Sequence, residues 1–215
     1  MKCVVFFDPE GYREKMLPNS DAKNIDEYFV RAKIMQDMVE SVNNTIKKFC
    51  PTDTYLAMHW RNKTKEWCTE NSEHSATCDS LKDKVAEVTR MIAETVADVM
   101  KQSKIQCVYV AHPIGSEEII RYLNENIQAR RRIFTQDDLN IRFPDPMEDA
   151  QMKELLEEEL CHGAETFIGW PKSMWSQAII HRRDIEGKKN LYFDSLPNLA
   201  IVTSDYGLVF DIVFS

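Results

Sequence analysis

The sequence is informative first through what it lacks. No stretch approaches the ~20 apolar residues of a membrane-spanning helix, so we expect no transmembrane segment. The apolar run at residues 1–7 stops at Asp8-Pro9-Glu10, which is too short for the hydrophobic region of a signal peptide. Only 6 of the 215 residues are glycine, and none of them forms the G-x-G-x-x-G fingerprint of dinucleotide-binding proteins. We therefore expect no membrane span, no leader peptide in this chain and no fingerprint-type dinucleotide site.

An excess of positive charge is also missing. The net charge is -8 and the isoelectric point is near 5.2, which argues against a nucleic-acid partner because phosphate backbones attract positive surfaces. The densest basic run, Arg130-Arg131-Arg132, is soon followed by Asp137 and Asp138, so we interpret it as a solvated helix end or loop. With 43% hydrophobic residues, the chain can bury the core of one substantial domain.

The 6 cysteines are widely scattered, which fits either an enzyme with a few disulfides or a reduced protein, so they leave the compartment open. A zinc site is one alternative function, from the ligand types His59, Cys68, His74 and Cys78. Their spacing matches no familiar zinc finger, and in an oxidising compartment a Cys68–Cys78 disulfide is the favoured interpretation, so we expect no metal. A thiol-dependent hydrolase using Cys161-His162 is a further alternative, although adjacent helix residues point in different directions.

Hydrophobic periodicity predicts an alternation of helices and strands. Apolar residues three and four apart indicate helices at 26–49 and 80–101, and nearly continuous apolar runs indicate buried strands at 54–60 and 105–111. Shorter elements repeat the order toward the carboxyl end. This order predicts an α/β fold, a three-layer Rossmann-like domain with a mostly parallel sheet. We expect an N-terminal strand and loop at 1–25, the Rossmann-like domain at 26–195, and an apolar tail with a strand or hairpin at 196–215.

Polar residues follow three of the predicted strands, in His59-Trp60-Arg61, His112-Pro113-Ile114-Gly115 and Gly169-Trp170-Pro171-Lys172-Ser173. The carboxyl ends of parallel strands meet at one edge of a sheet, where open α/β proteins bind ligands. Arg61 has a planar cationic fork that matches a phosphate, so it is a candidate phosphate clamp. The alternative is an ordinary surface arginine.

The last of these segments leads directly into a predicted helix. The free amides and positive dipole end of a helix N-terminus can hold a phosphate, and Lys172 and Ser173 add a charge and a hydroxyl there. The alternative is a loop with Ser173 as an N-cap. Trp175 and Trp60 could each stack on a base or belong to the core.

Three motifs resemble those of one known family, the GDP-fucose protein O-fucosyltransferases. Residues 164–169 (A-E-T-F-I-G), with Ser173-Met174-Trp175-Ser176 and the run at 181–187 (H-R-R-D-I-E-G), resemble the family's A-D-x-F-I-G-N-x-x-S-S-F and R-E-R-D. Residues 59–68 are similar to its H-L-R-x-G-x-D-W, and residues 107–111 to its V-Y-V-A-T-D-S strand. Their order and spacing agree over roughly residues 26–192.

The resemblance implies a GT-B glycosyltransferase, of which this chain supplies mainly the C-terminal, donor-binding half. Such enzymes transfer fucose from GDP-fucose, with inversion and without a metal or other cofactor, to serine or threonine of a folded disulfide-rich repeat (EGF-like or thrombospondin-like). They work in the endoplasmic reticulum or secretory pathway. The resemblance makes Arg61 the catalytic arginine, which neutralises charge on the departing β-phosphate. The donor-binding residues that it implies are His59, Arg61, Ser173, Trp175 and Arg183. For Arg183 the role is either a donor contact or a structural ion-pair partner. Further candidates are Glu66, His112 and Lys172.

The sequence also departs from the family pattern. His112-Pro113-Ile114 replaces Thr-Asp-Ser, Met174 replaces a serine, and Glu66 stands where the family has aspartate. We find no counterpart of the family's amino-terminal domain. A catalytically inactive nucleotide-sugar-binding relative, or a truncated fragment, is therefore the alternative interpretation.

Overall fold

The computed structural model describes residues 33–50, 52, 54–64, 68, 75–111, 117–127, 132–139, 149–196 and 199. The chain divides into two compact units, Met1–Lys33 and Ile34–Ser215, and the described residues after Lys33 belong to the second. The expected N-terminal strand, nearly all of the apolar tail, Glu66 and His112 lie outside the described residues. The predicted divisions near residues 25 and 195 stay predictions.

Strands and helices alternate through the described part of the chain, as the hydrophobic pattern predicts. In order they are α1 (Lys33–Phe49), β1 (Leu56–His59), α2 (Ser75–Gln102), β2 (Cys107–Ala111), α3 (Glu117–Asn126), β3 (Arg132–Phe134), α4 (Asp149–Gly163), β4 (Thr166–Gly169), α5 (Met174–Ile185) and β5 (Lys189–Tyr192), with short 3-10 turns at Asp137–Leu139 and Phe193–Ser195. All strand pairs are parallel, in the order β3-β2-β1-β4-β5. The α/β prediction with a mostly parallel sheet is confirmed.

The sheet is covered on both faces, which is why its central strands are apolar throughout. Alternate residues of β1 point to opposite sides: Leu56 and Met58 pack with α2 and α3, whereas Ala57 packs with α1, α4 and α5. All residues of β1, β2 and β4 are buried. The expected three layers therefore exist, and the two cores lie on either side of the sheet.

Two elements differ from the sequence-based prediction. β5 was not predicted, because its residues K-N-L-Y at the sheet edge are only partly buried and lack an apolar pattern. α2 begins at Ser75, five positions before the predicted start at Ser80, because its first turn is polar and carries little periodicity. Local pattern is weakest at edges and helix ends.

The disulfides decide between the alternatives for the cysteines. Cys50 bonds to Cys107, joining the end of α1 to the start of β2, and Cys68 bonds to Cys78, joining the segment after β1 to α2. The expected Cys68–Cys78 bond is confirmed, which removes two ligands from the zinc alternative. Among the described residues, which exclude His74, no group of side chains could hold a metal ion.

The structure argues against the thiol alternative. Cys161 is completely buried in α4, and burial raises the pKa of its thiol, so the reactive thiolate is disfavoured.

No helix within the described ranges has the length and apolar character needed to cross a bilayer.

Candidate functional site

The sheet has a topological switch point between β1 and β4. From β1 the chain moves through α2 to β2 and then to β3 on one side, whereas β4 and β5 extend the sheet on the other. The crossover helices of the two halves cover opposite faces, so a crevice is expected beyond the carboxyl ends of β1 and β4. Those ends are His59 and Gly169.

His59 is the polar residue at the centre of this edge. Its Nδ1 lies 2.8 Å from the Oγ of Ser176, and its ring contacts the Trp175 ring with centroids 4.4 Å apart. Burial, and secondly the positive charge of Arg61, lower its pKa from 6.5 to about 3. The imidazole is therefore neutral at physiological pH. One of its ring nitrogens can donate a hydrogen bond and the other can accept one.

The first turn of α5 forms the opposite side of the site. Ser173 is the N-cap of this helix: its Oγ accepts from the Ser176 amide at 3.4 Å, and its carbonyl accepts from the Gln177 amide at 2.9 Å. Ser173 is thus the N-cap of α5, and its role toward a phosphate stays a prediction. Lys172 is exposed in the turn just before the helix. The positive end of the α5 dipole therefore lies at the same edge as His59.

Gly169 allows α5 to approach the end of β4 this closely. A Cβ at this position would lie 2.9 Å from the Ser176 Cβ and 2.9 Å from the Phe167 Cε1. Contacts this short force neighbouring atoms to move. Glycine at the strand end is therefore what brings Ser176 within reach of His59.

Arg61 lies two residues beyond His59 in the same segment. The intervening Trp60 amide donates to the Ala111 carbonyl at 2.7 Å, which extends the β1–β2 ladder by one residue and orients the chain where it leaves the sheet. Arg61 is half-buried, and its charge helps to lower the pKa of His59. Arg61 therefore lies in the segment that leaves the carboxyl end of β1, the same edge as His59.

Arg183 lies elsewhere, and its expected role as a donor contact is corrected. Its side chain is completely buried. The guanidinium donates to Asn190 Oδ1 at 2.7 Å and to the main-chain carbonyls of Cys161, His162, Ala164, Glu165 and Lys189 at 2.7–3.4 Å. These carbonyls lie before and at the amino ends of β4 and β5, the edge of the sheet opposite to His59. Arg183 holds the α4–β4 connection and is not available to a ligand at the switch point.

The structure thus brings His59, Trp175 and the α5 N-terminus together, with Arg61 beside them. Trp60 belongs to the core, where its ring centroid lies 6.3 Å from the ring centroid of Trp170. Sequence reasoning missed Ser176, which touches His59. The available signal was its position three residues after the N-cap, in the first turn of a helix that leaves a predicted binding strand.

Comparison with known proteins gives a match in structure alone. No protein-family model and no curated protein matches the chain. Among solved structures it is similar to POFUT1, a GDP-fucose protein O-fucosyltransferase. The chain shares the fold of this glycosyltransferase. The POFUT1 complex with GDP matches with 14% identity and a TM-score of 0.51, over 80% of this chain and 49% of that one.

Further POFUT1 structures agree. The apo form matches with 15% identity and a TM-score of 0.50, over 80% of this chain and 49% of that one. A complex with GDP-fucose matches with 16% identity and a TM-score of 0.50, over 80% and 50%. This chain therefore spans about half the length of the POFUT1 chains that it matches. At these identities the similarity to POFUT1 establishes the fold.

Proposed function

We propose that this chain binds GDP-fucose at the carboxyl edge of β1 and β4 and is the donor-binding half of a protein O-fucosyltransferase-like enzyme. The observation that carries the proposal is the contact between His59, Trp175 and Ser176 at the switch point. It places a neutral ring, an aromatic face and a helix N-terminus at the edge where such folds bind nucleotides. Two of the POFUT1 structures that share this fold are complexes with GDP and with GDP-fucose.

Each residue has a role that follows from its chemistry. Arg61 pairs with the β-phosphate, because its fork donates two parallel hydrogen bonds to phosphate oxygens. Ser173 and the free amides of α5 add neutral donors, and Lys172, exposed in the preceding turn, supplies a second charge. Trp175 offers a flat apolar face beside His59. Glu66 and His112 remain candidates from the sequence.

The proposed reaction is transfer of fucose with inversion. The acceptor hydroxyl oxygen bonds to the anomeric carbon of fucose, the bond from that carbon to the β-phosphate oxygen breaks, and GDP leaves with the electron pair. The hydroxyl proton passes to the departing phosphate or to solvent. Negative charge develops on the β-phosphate. Arg61 stabilises this charge more strongly in the transition state than in the bound donor, which is the condition for catalysis. In this proposal no metal ion takes part.

The acceptor side extends beyond this chain's matched region, which spans about half of POFUT1. In the two-domain GT-B arrangement that we propose, a second half completes the cleft for a serine or threonine of an EGF-like or thrombospondin-like repeat. The disulfides support a site of action in the endoplasmic reticulum or secretory pathway, because such bonds persist in oxidising compartments.

A second candidate function is donor binding without transfer. Met174 is 61% exposed at the start of α5, at the position where the resemblance places a serine. A thioether cannot donate a hydrogen bond to phosphate. An inactive nucleotide-sugar-binding protein would keep the Arg61 site while lacking turnover.

Isothermal titration with GDP-fucose, beside UDP-glucose, tests the proposal. We expect selective binding of GDP-fucose that falls by at least about tenfold in Arg61→Ala, since a charge-assisted hydrogen bond contributes about 1.5–3 kcal/mol. Arg90→Ala is the matched control, because Arg90 is an exposed arginine of α2 with a 4.0 Å ion pair to Glu94. Equal affinity in Arg61→Ala, or no binding by the folded protein, would overturn the proposal.

Transfer to a folded repeat separates the two candidates. Turnover that falls about 100-fold or more in Arg61→Ala supports the enzyme. Donor binding with no turnover, measured with a protein that includes the proposed second half, supports the binding protein.

A further inference from the structure

Ser176 occupies a position between two partners with different hydrogen-bonding abilities. It is completely buried in the first turn of α5. Its Oγ lies 3.1 Å from the amide nitrogen of Trp170 and 2.8 Å from the Nδ1 of His59. The amide can only donate, so Oγ accepts from Trp170. The direction of the bond to His59 depends on where the hydroxyl hydrogen goes.

The surroundings assign that hydrogen to His59. Three other helical hydroxyls, those of Thr45, Thr89 and Thr95, donate to the carbonyl four residues earlier, at 3.0, 2.6 and 2.8 Å. Ser176 forms no such bond with any residue that the structure describes. If Nδ1 carried the proton and donated to Oγ, the buried hydroxyl hydrogen would have no acceptor there, which is unfavourable. The hydroxyl therefore donates to Nδ1.

We propose that Ser176 is a positioning residue that holds His59 as the Nε2–H tautomer, so that Nε2 donates a hydrogen bond to an oxygen of the bound nucleotide sugar. Because Nδ1 is occupied by Ser176, Nε2 is the ring nitrogen left to face a ligand. The inference rests on the proposed function for the identity of that ligand. The tautomer itself follows from the geometry of this chain.

Two features keep this arrangement in place. Gly169 permits the close approach of Ser176, and the Trp175 ring packs against the imidazole. The low pKa of His59, caused mainly by burial, keeps the ring neutral, so a defined tautomer and not a charge sets its hydrogen bonding. Complete burial of Ser176 also excludes it as a nucleophile, because no substrate carbon can reach its Oγ.

Nitrogen NMR of histidine-labelled protein tests the tautomer without any substitution. The His59 signals are identified by their loss in His59→Gln. At about pH 7, we expect Nδ1 to show the shift of an unprotonated acceptor and Nε2 the shift of a protonated nitrogen. A protonated Nδ1 in the unaltered protein would overturn the proposal.

Substitutions test the role of the hydroxyl. In Ser176→Ala we expect the Nδ1–H tautomer to appear, and GDP-fucose binding to weaken in proportion to the lost Nε2–H fraction, about twofold for an equal mixture. Ser176→Thr, which keeps a hydroxyl, should restore both readouts. Thr89→Val, which removes a buried hydroxyl of α2, should change neither. An unchanged tautomer in Ser176→Ala, or an altered tautomer with unchanged GDP-fucose affinity, would overturn the assignment.

The test separates this inference from the proposed function. If the unaltered protein shows the Nε2–H tautomer but does not bind GDP-fucose, the choice of ligand is wrong and the hold of Ser176 on His59 stands. If it binds GDP-fucose with a protonated Nδ1, the role of Ser176 is wrong and the donor site stands.

Discussion

At the scale of single residues, His59 shows how burial turns a common titratable group into a neutral one. Its pKa falls from 6.5 to about 3 because the ring is buried and because Arg61 lies near it. A protonated imidazole at this edge would repel Arg61 and lose its acceptor nitrogen. The neutral form keeps the bond to Ser176, and in the proposed site it leaves Arg61 as the charged group for the phosphate.

This neutral histidine predicts a loss of stability in acid. The unfolded chain takes up a proton below pH 6.5, whereas folded His59 does so only near pH 3. Stability is therefore complete above about pH 6.5 and falls as the pH drops toward 3. From about pH 7 to about pH 5, His59 should lower the free energy of unfolding by about 2 kcal/mol.

Urea unfolding at both pH values measures this loss. In His59→Gln we expect the free energy of unfolding to fall by about 2 kcal/mol less between these pH values than in the unaltered protein. Thr89→Val should lower stability equally at both pH values. His162, whose pKa burial lowers to about 4, adds to the loss in all of these proteins. Equal pH dependence in His59→Gln and the unaltered protein would show that His59 is not buried and neutral.

At the scale of secondary-structure elements, Arg183 links α5 to the connection between α4 and β4. Its buried guanidinium satisfies main-chain carbonyls that the helix end and the strand start leave unpaired. An apolar side chain in place of Arg183 would leave those buried carbonyls without a hydrogen-bond donor. The neighbouring Arg182 instead forms a half-buried ion pair with Glu159 at 2.9 Å.

The neighbouring arginines give a matched pair of substitutions. Arg183→Met should lower the free energy of unfolding by about 3 kcal/mol or more, because several buried carbonyls lose their donor. Arg182→Met should cost about 1 kcal/mol or less, as partly exposed ion pairs do. Denaturant unfolding measures both. Similar costs for the two variants would contradict the structural role of Arg183.

The contact between β4 and α5 predicts a specific cost for one glycine. Gly169→Ala would place a Cβ 2.9 Å from Ser176 Cβ, so we expect a loss of about 1–3 kcal/mol from overpacking. Gly163→Ala is the control, because a Cβ there meets only the Tyr55 hydroxyl at 3.4 Å. Thermal unfolding compares them, and titration with GDP-fucose should show weaker binding in Gly169→Ala alone. A Gly169→Ala protein as stable as Gly163→Ala would contradict this packing.

At the scale of the whole molecule, the two disulfides close loops of very different length. The Cys50–Cys107 bond spans 57 residues and the Cys68–Cys78 bond spans 10. In the chain-entropy account, the longer loop restricts the unfolded state more. The two bonds should therefore contribute unequally.

Paired replacement by alanine tests this ranking. Loss of Cys50–Cys107 should lower the free energy of unfolding by up to about 4 kcal/mol, and loss of Cys68–Cys78 by up to about 3 kcal/mol. The second replacement also frees the segment that follows Arg61, so it should weaken GDP-fucose binding more than the first. A reversed order of stability would indicate that strain or residual structure outweighs loop entropy.

The fold class and most element positions were predictable, because helix and strand periodicities are local properties of the chain. The runs that became β1 and β2 are continuous and apolar, and parallel strands covered on both faces require that pattern. The edge strand β5 was not predictable in this way, since its partly buried residues carry no such pattern. His59, Arg61 and Ser173 became candidates because parallel strands present ligand-binding residues at their carboxyl ends, and Trp175 became one as a stacking residue of the helix that follows. Their roles toward a ligand stay predictions.

The sequence by itself thus determined an α/β chain with its polar candidates at strand ends. Only the tertiary structure decided which of those candidates meet. His59 and Ser176 are 117 residues apart in the chain, and they touch because β1 and β4 are neighbours in the sheet and Gly169 lets α5 approach. Arg183, from the same helix, has its guanidinium at the opposite edge. Sheet order and helix direction arise from packing among distant residues, and no local pattern encodes them.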